Sequence, residues 1–141
     1  MGPLDLTDLS DGALLLVDSP PIIYFLEAHA RLGPRFAPLF EAHAAGRFRF
    51  AVTTVTVAEV LTGPLQASDE VLARRYRAIL ESWQLVPLDL AIAESAARLR
   101  ASLRLKLADA VQAASASAVN AAALVTHDRD FSRVRSLLVI S

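Results

Sequence analysis

The sequence predicts a single α/β domain, a three-layer α/β/α sandwich with a central, mostly parallel sheet. Three observations support this fold class. The chain has 141 residues, the usual size of one domain. Short apolar runs alternate with stretches of helical length, as in βαβ units. The apolar runs are nearly continuous in hydrophobicity, which is typical of strands covered on both faces.

Five apolar runs are predicted to be strands. They are separated by enough chain for the right-handed crossovers that join parallel strands. The predicted strands are Leu14–Val17, Phe48–Thr53, Gln84–Leu88, Ala122–Thr126 and a weaker Leu137–Ile140.

Six helices are predicted between these strands, with bounds taken from capping signals. Pro21 suits a first turn and Gly46 a C-cap. Gly63 and Pro64 are expected to stop the third helix, and Ser68 is expected to cap the fourth. The predicted helices are Pro21–Ala30, Ala37–Ala45, Val55–Leu61, Ser68–Trp83, one from Asp89 to about Leu103, and Leu107–Val119.

Residues 1–12 are predicted to form a flexible N-terminal extension, and residues 13–141 the folded domain. Three aspartates and no basic residue precede the first apolar run, which does not fit a secretory signal. The longest weakly polar stretch, residues 107–125, is interrupted by Asp109 and Gln112 and is too polar to span a bilayer. We therefore expect a cytoplasmic protein without membrane association.

Composition excludes several functional classes. With 54% hydrophobic and 21% charged residues, intrinsic disorder is excluded. The absence of cysteine excludes disulfides, thiolate metal sites and cysteine nucleophiles. The net charge of -1 does not suit tight binding of nucleic acid over the whole surface, so any nucleic acid must be held locally.

Four acidic residues lie inside or at the end of apolar segments, where an unpaired charge costs several kcal/mol. Asp18 directly follows the first predicted strand, and Asp128 follows the fourth after one intervening residue. Both should project at the carboxyl edge of a parallel sheet, where open α/β folds bind ligands. Glu59, on the helix after the second strand, and Asp109, in the first turn of the last helix, should approach the same edge.

Carboxylates grouped in a partly dry pocket repel one another unless a cation neutralises them. An all-oxygen donor set favours Mg²⁺ or Mn²⁺, as one ion or two, which would activate water at a phosphodiester. Asp130, two residues beyond Asp128, is a candidate fifth acid. The residues alone also allow a plainer interpretation, in which Asp18 and Asp128 cap loops and Asp109 is an ordinary acid at a helix N-terminus.

Four segments carry these acids and resemble the motifs of a known family, the PIN-domain nucleases, most closely the VapC-type toxins of prokaryotic toxin–antitoxin pairs. The resemblance covers about residues 14–141, with the motifs in the expected order. The segments are Leu16-Val17-Asp18-Ser19 leading into residues 22–27, then residues 53–61 around Glu59, residues 105–110 around Asp109, and residues 124–131 around Asp128.

The resemblance implies a PIN-like fold and a metal-dependent endoribonuclease that is inhibited by a cognate antitoxin protein. It places Asp18, Glu59, Asp109 and Asp128 around Mg²⁺ or Mn²⁺ as catalytic and metal-binding residues, with Asp130 as an outer contributor. Thr126 would correspond to the family's small hydroxyl residue beside the site.

The chain departs from the family pattern at two places. Pro20 and Pro21 stand where the first motif often has Asn, and His127 stands where Asn is frequent. Since no acid of the four is lost, we expect activity to be kept and substrate selection to differ. The alternative is a catalytically silent PIN-like module that binds RNA or protein. A phosphohydrolase with a nucleophilic aspartate would need a second acid at position 20, which is proline.

Substrate and partner contacts are expected outside the acid cluster. Of the 14 basic residues, Lys106 and Arg129 lie close in sequence to the proposed site and are candidates for binding RNA phosphates, together with Thr126. His127 is a further candidate RNA contact. The high apolar fraction predicts a homodimer, for which the helices predicted at Pro21–Ala30 and Ser68–Trp83 would supply the surface.

Overall fold

The strands pair in parallel to form one sheet. The computed structural model describes residues 2–134 and 136–141, apart from the side chains of Arg129 and Asp130. Within that part, the strands are β1 (Leu14–Val17), β2 (Arg49–Thr53), β3 (Gln84–Val86), β4 (Ala123–Val125) and β5 (Val139–Ile140). Their order is β3-β2-β1-β4-β5, and every neighbouring pair is parallel. The predicted parallel sheet is confirmed.

Helices connect these strands and cover the sheet on both faces. They are α1 (Ser19–Leu26), α2 (Gly33–Ala44), α3 (Thr54–Gln66), α4 (Glu70–Glu81), α5 (Leu90–Leu103) and α6 (Leu107–Ala118), with a 3₁₀ helix over Arg129–Arg133. Side chains of β1 alternate between the two faces. Leu15 and Val17 pack into the hydrophobic cluster that includes α1 to α4, whereas Leu14 and Leu16 pack with α5 and α6. Burial on both sides explains why the strand reads as a continuous apolar run.

The direction in which the chain adds strands reverses beside the central strand. After β1 the chain adds β2 and β3 on one side, then crosses to add β4 and β5 on the other. The carboxyl ends of β1 and β4 therefore flank the switch point, which is where open α/β sheets bind ligands. The backbone N–H of Asp18 donates to the carbonyl of Val125 at 2.8 Å and holds the two strand ends together.

Several predicted helix boundaries are wrong, since α1 ends at Leu26 and α2 begins at Gly33, and two further errors have a clear physical reason. The helix α3 runs through Gly63 and Pro64 to Gln66. The proline lies in its last turn, where the missing N–H removes one hydrogen bond without ending the helix. The N-cap of α4 is Asp69 and not Ser68, because Ser68 has a left-handed backbone (φ 55°). The carboxylate of Asp69 accepts a hydrogen bond from the Leu72 N–H at 3.0 Å.

Tyr76 is buried in the core, and the half-buried Trp83 packs against it. Tyr76 is 8% exposed. Trp83 packs edge-to-face on Phe50 at a ring-centroid distance of 5.1 Å, and His43 stacks on the same phenyl ring at 4.1 Å. These aromatic side chains therefore fill the layer on the α4 side of the sheet.

Residues 2–12 pack against the domain. Leu4 and Leu9 are each 6% exposed and belong to the main hydrophobic cluster. The Leu4 N–H donates to the Arg35 carbonyl at 3.1 Å, and Asp11 pairs with Arg47 at 3.0 Å. The two leucines explain the packing, because each buries an apolar side chain. That residues 1–12 are flexible in solution stays a prediction.

In the ranges described, no helix combines the length and apolarity that crossing a bilayer would take.

Replacing Leu9 by alanine should lower the free energy of unfolding by about 2 to 4 kcal/mol, because a buried leucine leaves a cavity. Leu90→Ala is the matched control, since Leu90 is 85% exposed and its loss should cost less than about 0.5 kcal/mol. Urea unfolding of both variants measures the difference. Equal stabilities would show that residues 2–12 do not pack on the core in solution.

Candidate metal centre

Asp18 links the central strand to the first helix. It follows β1 and is the N-cap of α1, with its Oδ1 accepting from the Ser19 N–H at 2.9 Å. An N-cap side chain ordinarily accepts from the second or third helical N–H. Those positions are Pro20 and Pro21, which have no N–H to donate. The prolines therefore leave the Asp18 carboxylate free to face other elements.

Two side chains from distant elements complete the environment of Asp18, which is 5% exposed. Gln112 of α6 donates from Nε2 to Oδ1 at 2.7 Å. Thr126, just after β4, donates from Oγ1 to Oδ2 at 2.8 Å. With the Ser19 N–H, three donors satisfy this buried carboxylate, which is the condition for burying it in its charged form.

Thr126 is placed to hold the site and not to contact substrate. Its side chain is fully buried, and its hydroxyl accepts from the Asp128 N–H at 3.1 Å while it donates to Asp18. The expected contact between Thr126 and RNA does not fit this position, because both the donor and an acceptor direction of the hydroxyl are used inside the protein. Thr126 instead joins the segments that carry Asp18 and Asp128.

Glu59 lies at the rim of the site on α3. This helix begins where the Thr53 hydroxyl accepts from the Thr56 N–H at 3.0 Å. Glu59 Oε1 accepts from the Ser19 hydroxyl at 3.2 Å, so Ser19 bridges Glu59 and the carboxylate of Asp18, to which its N–H donates. Although the residue is exposed overall, partial burial of its carboxyl group raises its pKa, and the nearby charge of Asp18 adds to the rise. The hydrogen bond from Ser19 opposes the shift.

Asp109 has the most strongly raised pKa among the described carboxyl groups. Asp109 lies in the first turn of α6 and is 8% exposed. Burial raises its pKa to about 7, and the charge of Asp128, a hydrogen bond with the Asp128 side chain and the charge of Asp18 add to the rise. Two carboxyl groups can share a hydrogen bond only when one carries a proton. The raised pKa means that Asp109 favours its protonated form up to about neutral pH.

The donor set fits a divalent cation. Oδ2 of Asp109 is buried and has no hydrogen-bond partner among the described residues, which leaves an oxygen available for a ligand. The other donors are carboxylate oxygens, the ligands that Mg²⁺ and Mn²⁺ prefer. As the described side chains are placed, no three of His, Asp or Glu lie close enough to coordinate one ion together. A cation at Asp109 would need small side-chain movements of its neighbours.

The structure brings three predicted acids together, with the fourth at the rim. The charges of Asp18 and Asp128 both raise the pKa of Asp109, while Glu59 connects to the Asp18 carboxylate through Ser19. The side chains of Asp130 and Arg129 lie outside the described part of the chain, so their predicted roles stay predictions. Lys106 is exposed at the N-cap of α6, and its charge lowers the pKa of Asp109.

His127 lies beside the site but its ring belongs to an aromatic cluster. It packs edge-to-face on Tyr24 at 5.7 Å and on Phe36 at 5.9 Å between ring centroids. This contact holds the segment after β4 against the α1–α2 layer. The expected contact of His127 with RNA stays a prediction.

Gln112 and Thr56 are members of the site that the motifs do not indicate. Gln112 Nε2 donates to Thr56 Oγ1 at 2.6 Å as well as to Asp18. The sequence offers one signal for Gln112. It is an amide on an otherwise alanine-rich helix, three residues after Asp109 and hence on the same helical face.

Fold and site together define a parallel α/β domain with a carboxylate cluster at the carboxyl edge of its sheet. The PIN domain family matches residues 15–137, and the chain belongs to this family. No curated protein sequence matches the chain.

Several solved structures are similar to this chain in fold. A toxin–antitoxin complex from Klebsiella pneumoniae has a TM-score of 0.70 at 23% identity, covering 88% of this chain and 95% of that chain. VapBC2 from Rickettsia felis, bound to a DNA fragment from its promoter, has a TM-score of 0.71 at 19% identity, covering 89% and 96%. VapC20 from Mycobacterium tuberculosis, a Sarcin-Ricin loop cleaving toxin, has a TM-score of 0.71 at 16% identity, covering 85% and 94%. The PIN-like α/β/α fold is confirmed.

In the absence of divalent metal, Asp109→Asn should change how stability depends on pH. The folded pKa of Asp109 is about 7 against an ordinary 3.8, so the folded protein keeps a proton that the unfolded chain releases between about pH 4 and 7. Stability of the parent therefore falls as pH rises through that window, by a few kcal/mol in total. The variant cannot titrate and can still donate to Asp128, so it should be the more stable protein at pH 8.

Urea unfolding with EDTA at pH 5, 6.5 and 8 tests this expectation. Asp69→Asn is the control, because it keeps a good N-cap far from the cluster. If the free energy of unfolding depends on pH in the same way in the parent and in Asp109→Asn, the pKa of Asp109 is not raised in the folded protein.

Proposed function

We propose that this protein is a metal-dependent endoribonuclease that hydrolyses RNA phosphodiester bonds. The observation that carries the proposal is the buried carboxyl group of Asp109, whose Oδ2 has no hydrogen-bond partner among the described residues. Burial and the nearby charges of Asp128 and Asp18 raise its pKa, so without a cation this carboxyl group favours a bound proton. A divalent cation can replace that proton and neutralise the charges of these carboxylates. The membership of the chain in the PIN domain family supports the same reaction class.

Asp18, Asp109 and Asp128 are the residues that would hold Mg²⁺ or Mn²⁺, with Glu59 and Asp130 as outer candidates. When bound, the ion supplies a Lewis acid for the scissile phosphate and lowers the pKa of a bound water. The hydrogen bonds of Ser19, Gln112 and Thr126 keep the Asp18 carboxylate oriented. Glu59, whose pKa is raised, is suited to accept or return a proton at the rim of the site.

RNA is the substrate class we favour, with Lys106 and Arg129 as candidate phosphate contacts. The exposed Lys106 lies one turn before Asp109 at the N-terminus of α6. A cation and helix N–H groups together favour a phosphate there. The name of the similar M. tuberculosis protein, a Sarcin-Ricin loop cleaving toxin, points to an RNA substrate for that protein and supports the choice here.

We further propose that the protein is the toxin of a toxin–antitoxin pair, inhibited by its cognate antitoxin. The similar structures from K. pneumoniae and R. felis are of toxin–antitoxin assemblies, which supports this proposal. The acid cluster suggests a mechanism of inhibition. An arginine from the partner could neutralise the carboxylates in place of the metal.

The protein is also proposed to form a homodimer. The helices α1 and α4 expose apolar side chains, with Phe25 40%, Val71 54% and Ile79 37% accessible. Large exposed apolar side chains are typical of an association surface when they form a contiguous patch. These three residues are therefore the candidate contacts on the two helices.

A catalytically silent module that binds RNA or protein is the alternative function. It is favoured by the lack of three closely grouped metal-binding side chains among the described residues. The two functions differ in one outcome, since only the nuclease cleaves RNA.

Asp18→Asn and Asp109→Asn should each lower RNA cleavage in Mn²⁺ by more than about 100-fold, because loss of a metal ligand costs at least as much as loss of an outer partner. Labelled structured RNA, incubated with purified protein and resolved on gels, provides the measurement. Asp69→Asn should cleave at the parental rate, and EDTA should stop cleavage by the parent. RNA binding by the parent without cleavage in Mn²⁺ would favour the silent module.

Antitoxin inhibition should weaken as the Mn²⁺ concentration rises, if a partner arginine and the metal compete for the carboxylates. Cleavage by the purified toxin–antitoxin complex, measured from micromolar to millimolar Mn²⁺, tests this. Replacing the competing arginine of the partner by alanine should remove the Mn²⁺ dependence of inhibition. Inhibition that stays constant over the whole range would contradict the competition.

A further inference from the structure

We propose that Gln112 is a positioning residue of the metal centre, because it occupies Asp18 Oδ1 and restricts Asp18 to binding a cation through Oδ2 alone. The inference rests on the proposed metal centre. It assigns a role to a residue that lies outside the four acidic motifs, and it specifies how one ligand binds.

Gln112 is held by two short hydrogen bonds from the same nitrogen. It is 1% exposed, and its Nε2 lies 2.7 Å from Asp18 Oδ1 and 2.6 Å from Thr56 Oγ1. The orientation of the amide follows from chemistry, since an ionised carboxylate only accepts hydrogen bonds and must face the nitrogen. Both N–H groups of the amide are therefore committed.

The number of hydrogen bonds that each carboxylate oxygen of Asp18 already accepts determines which of the two can bind a cation. Each carboxylate oxygen has about two acceptor directions. Oδ1 uses both, for the Ser19 N–H at 2.9 Å and for Gln112. Oδ2 accepts from Thr126 Oγ1 at 2.8 Å, which leaves one direction unused. A cation can then bind Asp18 through Oδ2 only.

Gln112 also connects the site to α3. Thr56 is fully buried in the first turn of that helix, and its hydroxyl lies 3.2 Å from the Thr53 hydroxyl. Through Thr56 and Asp18, the amide joins the start of α3 to the end of β1 from its place on α6. A change at Gln112 should alter the direction of the Asp18 carboxylate relative to Asp109 on the preceding turn of α6.

The unsatisfied side of the amide argues against a purely structural role. Gln112 Oε1 is buried and has no hydrogen-bond partner among the described residues. An unpaired buried acceptor costs stability, and an apolar side chain of similar shape would avoid that cost. Keeping an amide here is therefore explained better by its contact with Asp18 than by packing.

Gln112→Met should weaken Mn²⁺ binding about 10- to 100-fold, the usual effect of removing an outer partner of a metal ligand. Gln112→Glu tests the chemistry of the donor. If negative charge alone mattered, glutamate would tighten cation binding, whereas an ionised carboxylate cannot donate to Asp18 and should weaken it. Ser115→Ala is the matched control, because Ser115 is equally buried on the same helix and its hydroxyl has no hydrogen-bond partner in the described chain.

Calorimetric titration of the full chain with Mn²⁺, with circular dichroism to check folding, gives the main readout. Saturating Mn²⁺ should also restore much of the kcat of Gln112→Met, since the defect lies in metal binding. Parental Mn²⁺ affinity in a folded Gln112→Met, or tighter binding by Gln112→Glu, would overturn the inference. If neither variant folds, movement of the Gln112 side-chain amide resonances on Asp18→Asn supports the contact, and unmoved resonances overturn it.

The outcomes separate this inference from the proposed nuclease. Weakened Mn²⁺ binding by Gln112→Met, with no RNA cleavage by any form, would refute the nuclease and keep the positioning role. RNA cleavage by the parent, with unchanged Mn²⁺ affinity in Gln112→Met, would support the nuclease and refute the positioning role. A parent that binds no Mn²⁺ at millimolar concentration would overturn both.

Discussion

The buried carboxylate of Asp18 is the constraint on which the rest of the site depends. An ionised carboxyl group at 5% exposure is tolerated only when donors replace the lost water. Those donors come from the start of α1, from α6 and from the segment after β4. These three elements are far apart in sequence. The hydrogen bonds to the Asp18 carboxylate therefore hold helices from both faces of the sheet against its central strand.

The sequence predicts the fold well because burial on both faces leaves a direct pattern. The run Leu14–Val17 is a strand with the predicted bounds. Local sequence signals are less reliable where tertiary contacts determine the end of a helix. Gly63 and Pro64 look like a helix stop, but both lie within α3, near its end. Residues 2–12 show the same limit, because their packing depends on two leucines that fit a cluster built from the whole chain.

The acids of the site could be predicted and their chemistry could not. Parallel topology alone places residues after β1 and β4 at one edge, so Asp18 and Asp128 follow from the order of elements. The raised pKa of Asp109 depends on its burial and on the position of the Asp128 side chain. Gln112 contacts Asp18 across 94 positions of sequence, and no spacing rule covers such a pair. The effect of Pro20 and Pro21 likewise becomes visible only when the missing N–H groups are set beside the Asp18 carboxylate.

The pairing of the central strand has a consequence for when the protein can become active. Leu15 of β1 pairs with Ala123 of β4, and Thr126, which holds Asp18, follows that strand. Contacts between residues so distant in sequence form late, because a long loop must close before they are gained. During synthesis, the chain therefore cannot assemble its acid cluster until Thr126 and Asp128 have left the ribosome. A nascent chain of this kind therefore lacks a complete acid cluster for most of its translation.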